Sequence, residues 1–367
     1  VEYPEISPIL GSEKQYFYRN KLEYSFSNRK WLIDGAPAGT HDEEAVKGFG
    51  YHLPGLFDRV IDIEKCYLQQ EPSNAIRLFI KDFTLEHKLS YYNVRAHEGL
   101  MRNVVIRCNG KGEFMVIVVI NEENDLVRNV MIPELQKRFP EIISIMLVIN
   151  NKFNDIITDL PFENVYGEEC LIETMKAPRE GHDDLKFRVG PVSFFQTNVY
   201  QGERLYKAAF DLADVQGDEL MYDLYTGTGT IALYFARFVK KVVGVEYVEE
   251  AIADAKINSE FNNINNVKFY AGDMAKVFTD EFIESNGRPD LVVTDPPRAG
   301  MHEKVVEQLL KIQPKKIVYI SCNPATQARD LQLLDAKYEV KAVQPVDMFP
   351  HTHHVENIVL LKLKIES

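Results

Sequence analysis

Past residue 190 the chain alternates short apolar runs with longer amphipathic stretches. Residues 220–224 precede a helix starting near Thr230, and 241–246 precede a helix over 251–262. Further strands are expected at 267–271, 291–294, 316–320, 339–343 and 358–363. That rhythm predicts a mostly parallel sheet with helices on both faces. Before residue 190 the pattern differs. Short β-rich runs such as 104–107 and 114–120 are separated by turn residues, with one helix over 132–139 behind Pro133. A chain of 367 residues exceeds the size at which one core stops growing. Two domains are therefore expected, an α+β domain over 1–190 and an α/β domain over 191–367.

Composition changes little in this picture, with 45% apolar and 26% charged residues. The longest apolar runs, 114–120 and 142–149, fall well short of the ~18 residues of a membrane span. A soluble, cytoplasmic, monomeric protein without a membrane partner is expected. The first residues, Val1-Glu2-Tyr3-Pro4, carry neither an initiator Met nor a secretory pattern, so the chain is expected to begin inside a longer gene product. Four scattered cysteines with no Cys-x-x-Cys pair fit reduced thiols. The net charge of -13 gives no support to a general nucleic-acid affinity, although local basic patches can oppose the total. Candidate patches are Arg19, Lys21, Arg29 and Lys30; Arg102, Arg107 and Lys111; and Arg179, Lys186 and Arg188.

Chemistry gathers in the second half. Gly227-Thr228-Gly229-Thr230-Ile231-Ala232 follows one strand and opens a helix, so backbone amides can approach a cofactor where no Cβ intervenes. Glu246, ending the next strand, could accept ribose hydroxyls of either NAD or S-adenosylmethionine, and a tight turn with no ligand is the plainer alternative. Asp273 lies where an adenine contact is expected, though such an Asp is often a helix cap. Asp295-Pro296-Pro297-Arg298 ends the fourth strand, and the prolines hold Asp295 on a rigid turn. Amine methyltransferases carry an aromatic residue after such prolines, so Arg298 disfavours that reaction. Cys322 stands just past an apolar strand, with Asn323 and Pro324 blocking its continuation, where a thiolate could attack an electrophilic carbon. Glu356, flanked by His353, His354 and Asn357, is a candidate base. His351, His353 and His354 lack a clear fourth ligand and helical spacing for zinc.

Six segments in order carry a resemblance: Phe194-Phe195-Gln196-Thr197-Asn198, the turn from Asp223 to Thr230, Val243-Gly244-Val245-Glu246, Asp295-Pro296-Pro297-Arg298-Ala299-Gly300, Ser321-Cys322-Asn323-Pro324-Ala325-Thr326, and Asp347-Met348-Phe349-Pro350-His351-Thr352. Over nearly its whole length the chain resembles the RNA uracil-5-methyltransferases, specifically the bacterial 23S ribosomal RNA branch. The resemblance implies a Rossmann-like class I methyltransferase sheet over 191–367, an RNA-binding role for the α+β domain over 1–190, S-adenosylmethionine as cofactor and a uridine in RNA as substrate. It implies Cys322 as nucleophile and Glu356 as base. It also implies a cofactor pocket of Gln196, Tyr225, Gly227, Gly229, Glu246, Asp273 and Asp295, with Phe195, Asp295 and Arg298 toward the uracil. The expected target is a uridine in an unpaired loop, flipped out of its stack. Transfer RNA is the alternative substrate.

The departure lies at the front. Members of that branch usually carry an RNA-binding barrel and three clustered cysteines that hold an iron–sulfur cluster with a fourth further on. Cys66 resembles the fourth, and one thiolate cannot hold a [4Fe–4S] cluster, so a cluster is expected only in a longer form. Two other classes stay open from the sequence. A nicotinamide-dependent oxidoreductase would share the glycine turn and Glu246 but leave Cys322 and Glu356 without roles. An inactive RNA-binding relative has no use for that pair either.

Overall fold

In the computed structural model, which describes residues 3–31 and 46–365, the chain divides into two compact units that are not contiguous in sequence. One comprises Tyr16–Leu171 and Val189–Val192; the other comprises Val1–Gln15, Ile172–Arg188 and Ser193–Ser367. The expected boundary at residue 190 therefore differs from this division for residues 1–15, for 172–188 and, by two residues, for 191–192. The first is bonded to the far end of the chain, where Ser7 N–H donates to the Val343 carbonyl at 3.0 Å and Leu10 N–H to that of Pro345 at 2.9 Å. The second is held by Asn262 and Asn258, whose carboxamide oxygens accept from the amides of Lys186 and Arg188, each at 2.8 Å. A boundary drawn from a change of rhythm cannot register partners so distant in sequence.

The first unit is built on a seven-stranded sheet. Its elements are β1 (Lys21–Ser27), β2 (Gly48–Leu53), β3 (Leu56–Ile61), α1 (Ser73–Glu86), β4 (Met101–Cys108), β5 (Phe114–Ile120), a π-helical turn (Val127–Met131) running into α2 (Ile132–Arg138), β6 (Ile142–Ile149) and β7 (Glu163–Gly167). The sheet order is β3-β2-β1-β4-β5-β6-β7. β5 reads as an unbroken apolar run because both its faces are covered. Phe114, Val116 and Val118 join one core with Ile76 and Ile80 of α1, while Met115, Ile117 and Val119 join another with Met146 and Val148. The basic cluster at 102–111 does not form a surface. Arg102 is buried, donating to the carbonyls of Asn150, Lys152 and Asn154 and pairing with Asp155 at 3.0 Å; Arg107 is buried too.

The second unit opens with a two-stranded sheet of β8 (Leu171–Met175) and β9 (Leu185–Val189). Then follow α3 (Val199–Ala213), β10 (Leu220–Leu224), α4 (Thr230–Ala236), β11 (Lys241–Glu246), α5 (Glu249–Phe261), β12 (Val267–Ala271), α6 (Met274–Val277), α7 (Asp280–Asn286), β13 (Leu291–Thr294), α8 (Glu303–Ile312), β14 (Lys316–Ser321), α9 (Pro324–Leu334), β15 (Tyr338–Val346) and β16 (Glu356–Leu363). The strands form one sheet in the order β12-β11-β10-β13-β14-β16-β15. The first five are parallel, and β16 inserts antiparallel between β14 and β15. Tyr222, Val243, Val292 and Tyr319 pack on one face against Val305 and Leu309 of α8, while α3 and α4 pack on the strands from the other side. Strand order reverses between β10 and β13, which opens a crevice at the carboxyl ends of the strands. Among the described residues no helix is long and apolar enough to cross a membrane.

Candidate active site

The crevice is lined first by the turn after β10. Tyr225, Gly227 and Gly229 all take positive φ, at 67°, 53° and 81°. A Cβ on Gly229 would also lie 3.0 Å from Ala255 and from the Phe269 ring, so the turn can pass here only without a side chain. Glu246 holds this turn in place. One carboxylate oxygen accepts from Gly227 N–H at 3.0 Å and the other from the amides of Tyr247 and Val248 at 2.9 and 3.1 Å. About four acceptor sites exist on a carboxylate, so capacity remains for a ribose hydroxyl. Asp223 at the base of the turn is fully buried. Thr226 donates to its Oδ2, Oδ1 has no hydrogen-bond partner, and burial pushes its carboxyl up to about 7.

A cleft of about 660 Å3 continues from Tyr225 past Tyr247, Asp273, Met274, Pro297 and Met301, within the size range of small-molecule sites. Asp273 also caps α6, accepting from Ala275 N–H at 3.0 Å. It thus serves as the helix cap that its position suggested, while its side chain remains on the cleft wall.

The candidate reacting groups lie just past β13 and β14 and at the start of β16. Antiparallel pairing sets Ser321 opposite Asn357, so Cys322, the residue after β14, and Glu356, the first residue of β16, lie at the same end of the two paired strands. Gln327 of α9 clamps the two strands, donating to the carbonyls of Tyr319 and Asn357 at 2.9 and 3.2 Å and accepting from the Asn357 amide at 2.7 Å. A second set of bonds joins the Asp295 loop to the Cys322 loop. The Arg298 carbonyl accepts from Asn323 Nδ2 at 3.0 Å and Thr326 Oγ1 at 3.1 Å, and Arg329 donates to the Ala299 carbonyl at 2.9 Å. Gly300 leaves room for this contact, since a Cβ there would lie 2.7 Å from both Arg329 and Asp330.

Electrostatics couple these groups. Burial pushes the Cys322 thiol up, the charges of Glu356 and Asp295 add to this, and Arg298 opposes it. Glu356 is pushed up to about 8 by burial and then by Asp295, again against Arg298. The neighbouring histidines expected to tune Glu356 are not among the causes. Burial also pushes Asp295 up to about 7. Cys322 directly precedes Asn323, the N-cap of α9, where a helix start favours the thiolate.

The Phe194–Asn198 segment closes the site from α3. Asn198 caps α3 by accepting from Gln201 N–H at 3.2 Å and donates to the Met348 carbonyl at 3.0 Å, tying this motif to the turn that leads into Glu356. Gln196 packs against Gly202, where a Cβ would approach its Cβ to 3.1 Å. It hydrogen-bonds the buried hydroxyl of Tyr206, which senses the charges of Asp295, Asp223 and Glu356. Tyr206, one turn beyond Gly202 on the same helix face, carries no local sequence signal and went unnoticed there. Phe195, expected to face the uracil, is buried with its ring centroid 5.6 Å from that of Phe187. The exposed ring is Phe194, whose carbonyl accepts from Thr228 of the glycine turn at 3.4 Å.

Cys66 lies in the first unit, buried, with Sγ 3.3 Å from the Tyr51 hydroxyl. Among the described residues no group of three or more His, Cys, Asp or Glu side chains gathers to hold a metal.

The sheet order, glycine turn and acid after the second parallel strand define a class I S-adenosylmethionine-dependent methyltransferase. The glycine turn, Glu246 and the orphaned oxygen of Asp223 fit that cofactor. Comparison narrows the class. Residues 180–364 match the family model described as tRNA (Uracil-5-)-methyltransferase. An RNA methyltransferase of Bacteroides thetaiotaomicron is 53% identical over 99% of this chain and 79% of its own, and one of Porphyromonas gingivalis is 49% identical over 98% and 78%. The structure of Pyrococcus abyssi tRNA (uracil-54, C5)-methyltransferase in complex with S-adenosyl-L-homocysteine superposes with a TM-score of 0.75 and 31% identity over 96% of this chain and 78% of that one. The chain belongs to the RNA uracil-5-methyltransferase family.

Proposed function

We propose that this protein methylates C5 of a specific uridine in RNA through a covalent bond between Cys322 and C6. The supporting observation is the pairing of β14 with β16, which leaves Cys322 and the buried Glu356 at one strand end, near enough that the Glu356 charge pushes the thiol up, with the Glu356 carboxyl itself raised to about 8. Uracil C5 is too weak a nucleophile to be methylated directly. Addition of the Cys322 thiolate to C6 shifts the C5–C6 π electrons toward the C4 oxygen, leaving an enolate that is nucleophilic at C5. When bound, S-adenosylmethionine would supply the electrophilic methyl group that C5 takes up, the S–CH3 bond breaking to leave S-adenosylhomocysteine. C5 then carries both a methyl and a hydrogen. Ionised Glu356 removes that proton, the electron pair re-forms the C5–C6 double bond, and the thiolate leaves C6.

The remaining residues position and stabilise. Arg298, which bears on both Cys322 and Glu356, favours the thiolate and the enolate charge. Asp295 holds the uracil edge, as donor or acceptor according to its proton. Gln196, Tyr225, Gly227, Gly229, Glu246 and Asp273 form the cofactor side, and Phe194 offers the exposed ring beside it. The target uridine must leave its stack, at a cost of roughly a few kcal/mol, which favours an unpaired loop.

The proposed RNA is 23S ribosomal RNA, supported by the set of six motifs. Transfer RNA is the second reading, favoured by the likeness to the archaeal tRNA enzyme. Mass-spectrometric mapping of 5-methyluridine in both RNAs from a deletion strain tests this. Loss of one site from 23S ribosomal RNA supports the first reading, loss confined to transfer RNA moves the substrate, and no loss from either rules out the function.

A further inference from the structure

One edge of the first unit carries a stripe in which aromatic rings alternate with cations. Phe57 and Arg59 lie two apart on β3 and so project from one face. The Arg59 guanidinium lies 5.8 Å from the Trp31 ring centroid, and that of Arg95 lies 5.2 Å from the Phe57 ring. His97, in the same loop as Arg95, stacks on Phe153 with ring centroids 4.2 Å apart and planes inclined by 29°. The rings stay open to solvent, with Trp31 38%, Phe57 64% and Phe153 77% exposed.

Asp58 projects to the opposite face of β3 and is buried. It takes Arg95 at 2.7 Å and Arg29 at 3.2 Å, which holds two half-exposed guanidiniums side by side. One carboxylate thus fixes the spacing of two cations while leaving both half exposed. A lone exposed ring is ordinary. Three exposed rings, two partnered by arginines and one by an imidazole, set in a chain of net charge -13, call for an anionic partner with flat apolar groups.

We infer that this stripe is a binding surface for single-stranded RNA, with bases stacked on Trp31, Phe57 and Phe153 and phosphates met by Arg29, Arg59 and Arg95. Unpaired bases offer their faces to such rings, and duplex bases do not. The inference goes beyond the methyl-transfer chemistry and rests on it only for the nucleic acid being RNA.

Fluorescence anisotropy of a short fluorescein-labelled RNA strand of mixed sequence, and of the same RNA as a blunt duplex, tests it with the full chain. The single strand binds more tightly than the duplex, and Phe57→Ala and Phe153→Ala each weaken its binding by about 5- to 150-fold, the span of one lost stacking contact. Arg29→Ala combined with Arg95→Ala lowers the slope of log affinity against log salt by about 1.4, the value for two phosphates on a single strand. Phe57→Tyr keeps the ring and retains affinity, which separates lost stacking from lost folding. Alanine variants that bind the strand as the parent does overturn the inference and leave the stripe to a protein partner; a loss equally large in Phe57→Tyr also overturns it. Methyl transfer from labelled cofactor is followed in parallel. Absence of transfer by the parent protein counts against the chemistry alone, and normal transfer with unchanged affinities counts against the stripe alone.

Discussion

Ser321 and Asn357 face each other across the antiparallel contact of β14 and β16, with Cys322 the next residue after β14 and Glu356 the first of β16. The proposed nucleophile and base thus lie at one end of two paired strands, with Cys322 on the turn that leads from β14 into α9.

Cys322→Ala abolishes methyl transfer while leaving cofactor affinity unchanged, because the thiol meets the base and the glycine turn meets the cofactor. Isothermal titration with S-adenosylhomocysteine beside a transfer assay checks both halves. Residual transfer would assign the nucleophile elsewhere.

Glu356→Gln permits addition and methylation but leaves the C5 proton in place, so the protein stays bonded to methylated RNA. A denaturing gel shows a slow band carrying label from the cofactor methyl, absent when Cys322 is also replaced. In the parent, release from the adduct requires ionised Glu356. With its carboxyl raised to about 8, release accelerates as pH rises toward 8 and levels off above it. Rapid-quench measurement of adduct decay against pH resolves that limb, which Glu356→Gln lacks.

Glu246→Ala removes both the ribose acceptor and the three backbone bonds that fix the turn. Cofactor affinity falls by roughly 1.5 to 3 kcal/mol, the range for hydrogen bonds to a charged group. Unchanged affinity by calorimetry would remove Glu246 from the pocket.

Gln327→Leu leaves the Tyr319 carbonyl and the Asn357 amide without their partner at the junction of β14 and β16. Each buried unsatisfied group costs about 1 to 3 kcal/mol, so the melting temperature drops. Methyl transfer suffers more than cofactor binding, since the clamp sets Cys322 against Glu356 and not the glycine turn. Equal loss in both assays would mean that Gln327 supports the fold alone.

Asp223, fully buried, has its folded-state carboxyl raised to about 7. The folded protein therefore holds a proton there that the unfolded chain gives up near its ordinary value of about 3.9. Its contribution is present below pH 4 and is lost as pH rises through 7. Asp223→Asn, which cannot ionise, shows a smaller fall in melting temperature between pH 6 and pH 8 than the parent. Parallel thermal unfolding curves at the two pH values check it.

The sheet of the second unit was legible because strands buried on both faces read as unbroken apolar runs, as at Leu291–Thr294 and Lys316–Ser321. Cys322, Asp295 and Glu246 were legible because each stands where such a run ends. Tyr206 and Gln327 were not, since each acts through a helix face and partners many residues away, and no local pattern marks a side chain for that task. Phe194 and Phe195 show the same limit at shorter range: adjacent identical rings differ only in which way the backbone turns them. Arg102 failed as a surface candidate because its charge is satisfied by carbonyls of a loop about 50 residues downstream.

The bond from Gln344 to the Pro8 carbonyl spans 336 residues, and it makes the first unit an insertion within the second. On the ribosome, residues 16–171 emerge as a block and can assemble while the rest is still being made. The catalytic sheet must wait for its last two strands, β15 and β16, and β16 brings the proposed base. Methyl-transfer competence therefore waits for β16 to be made, and removing that strand abolishes it.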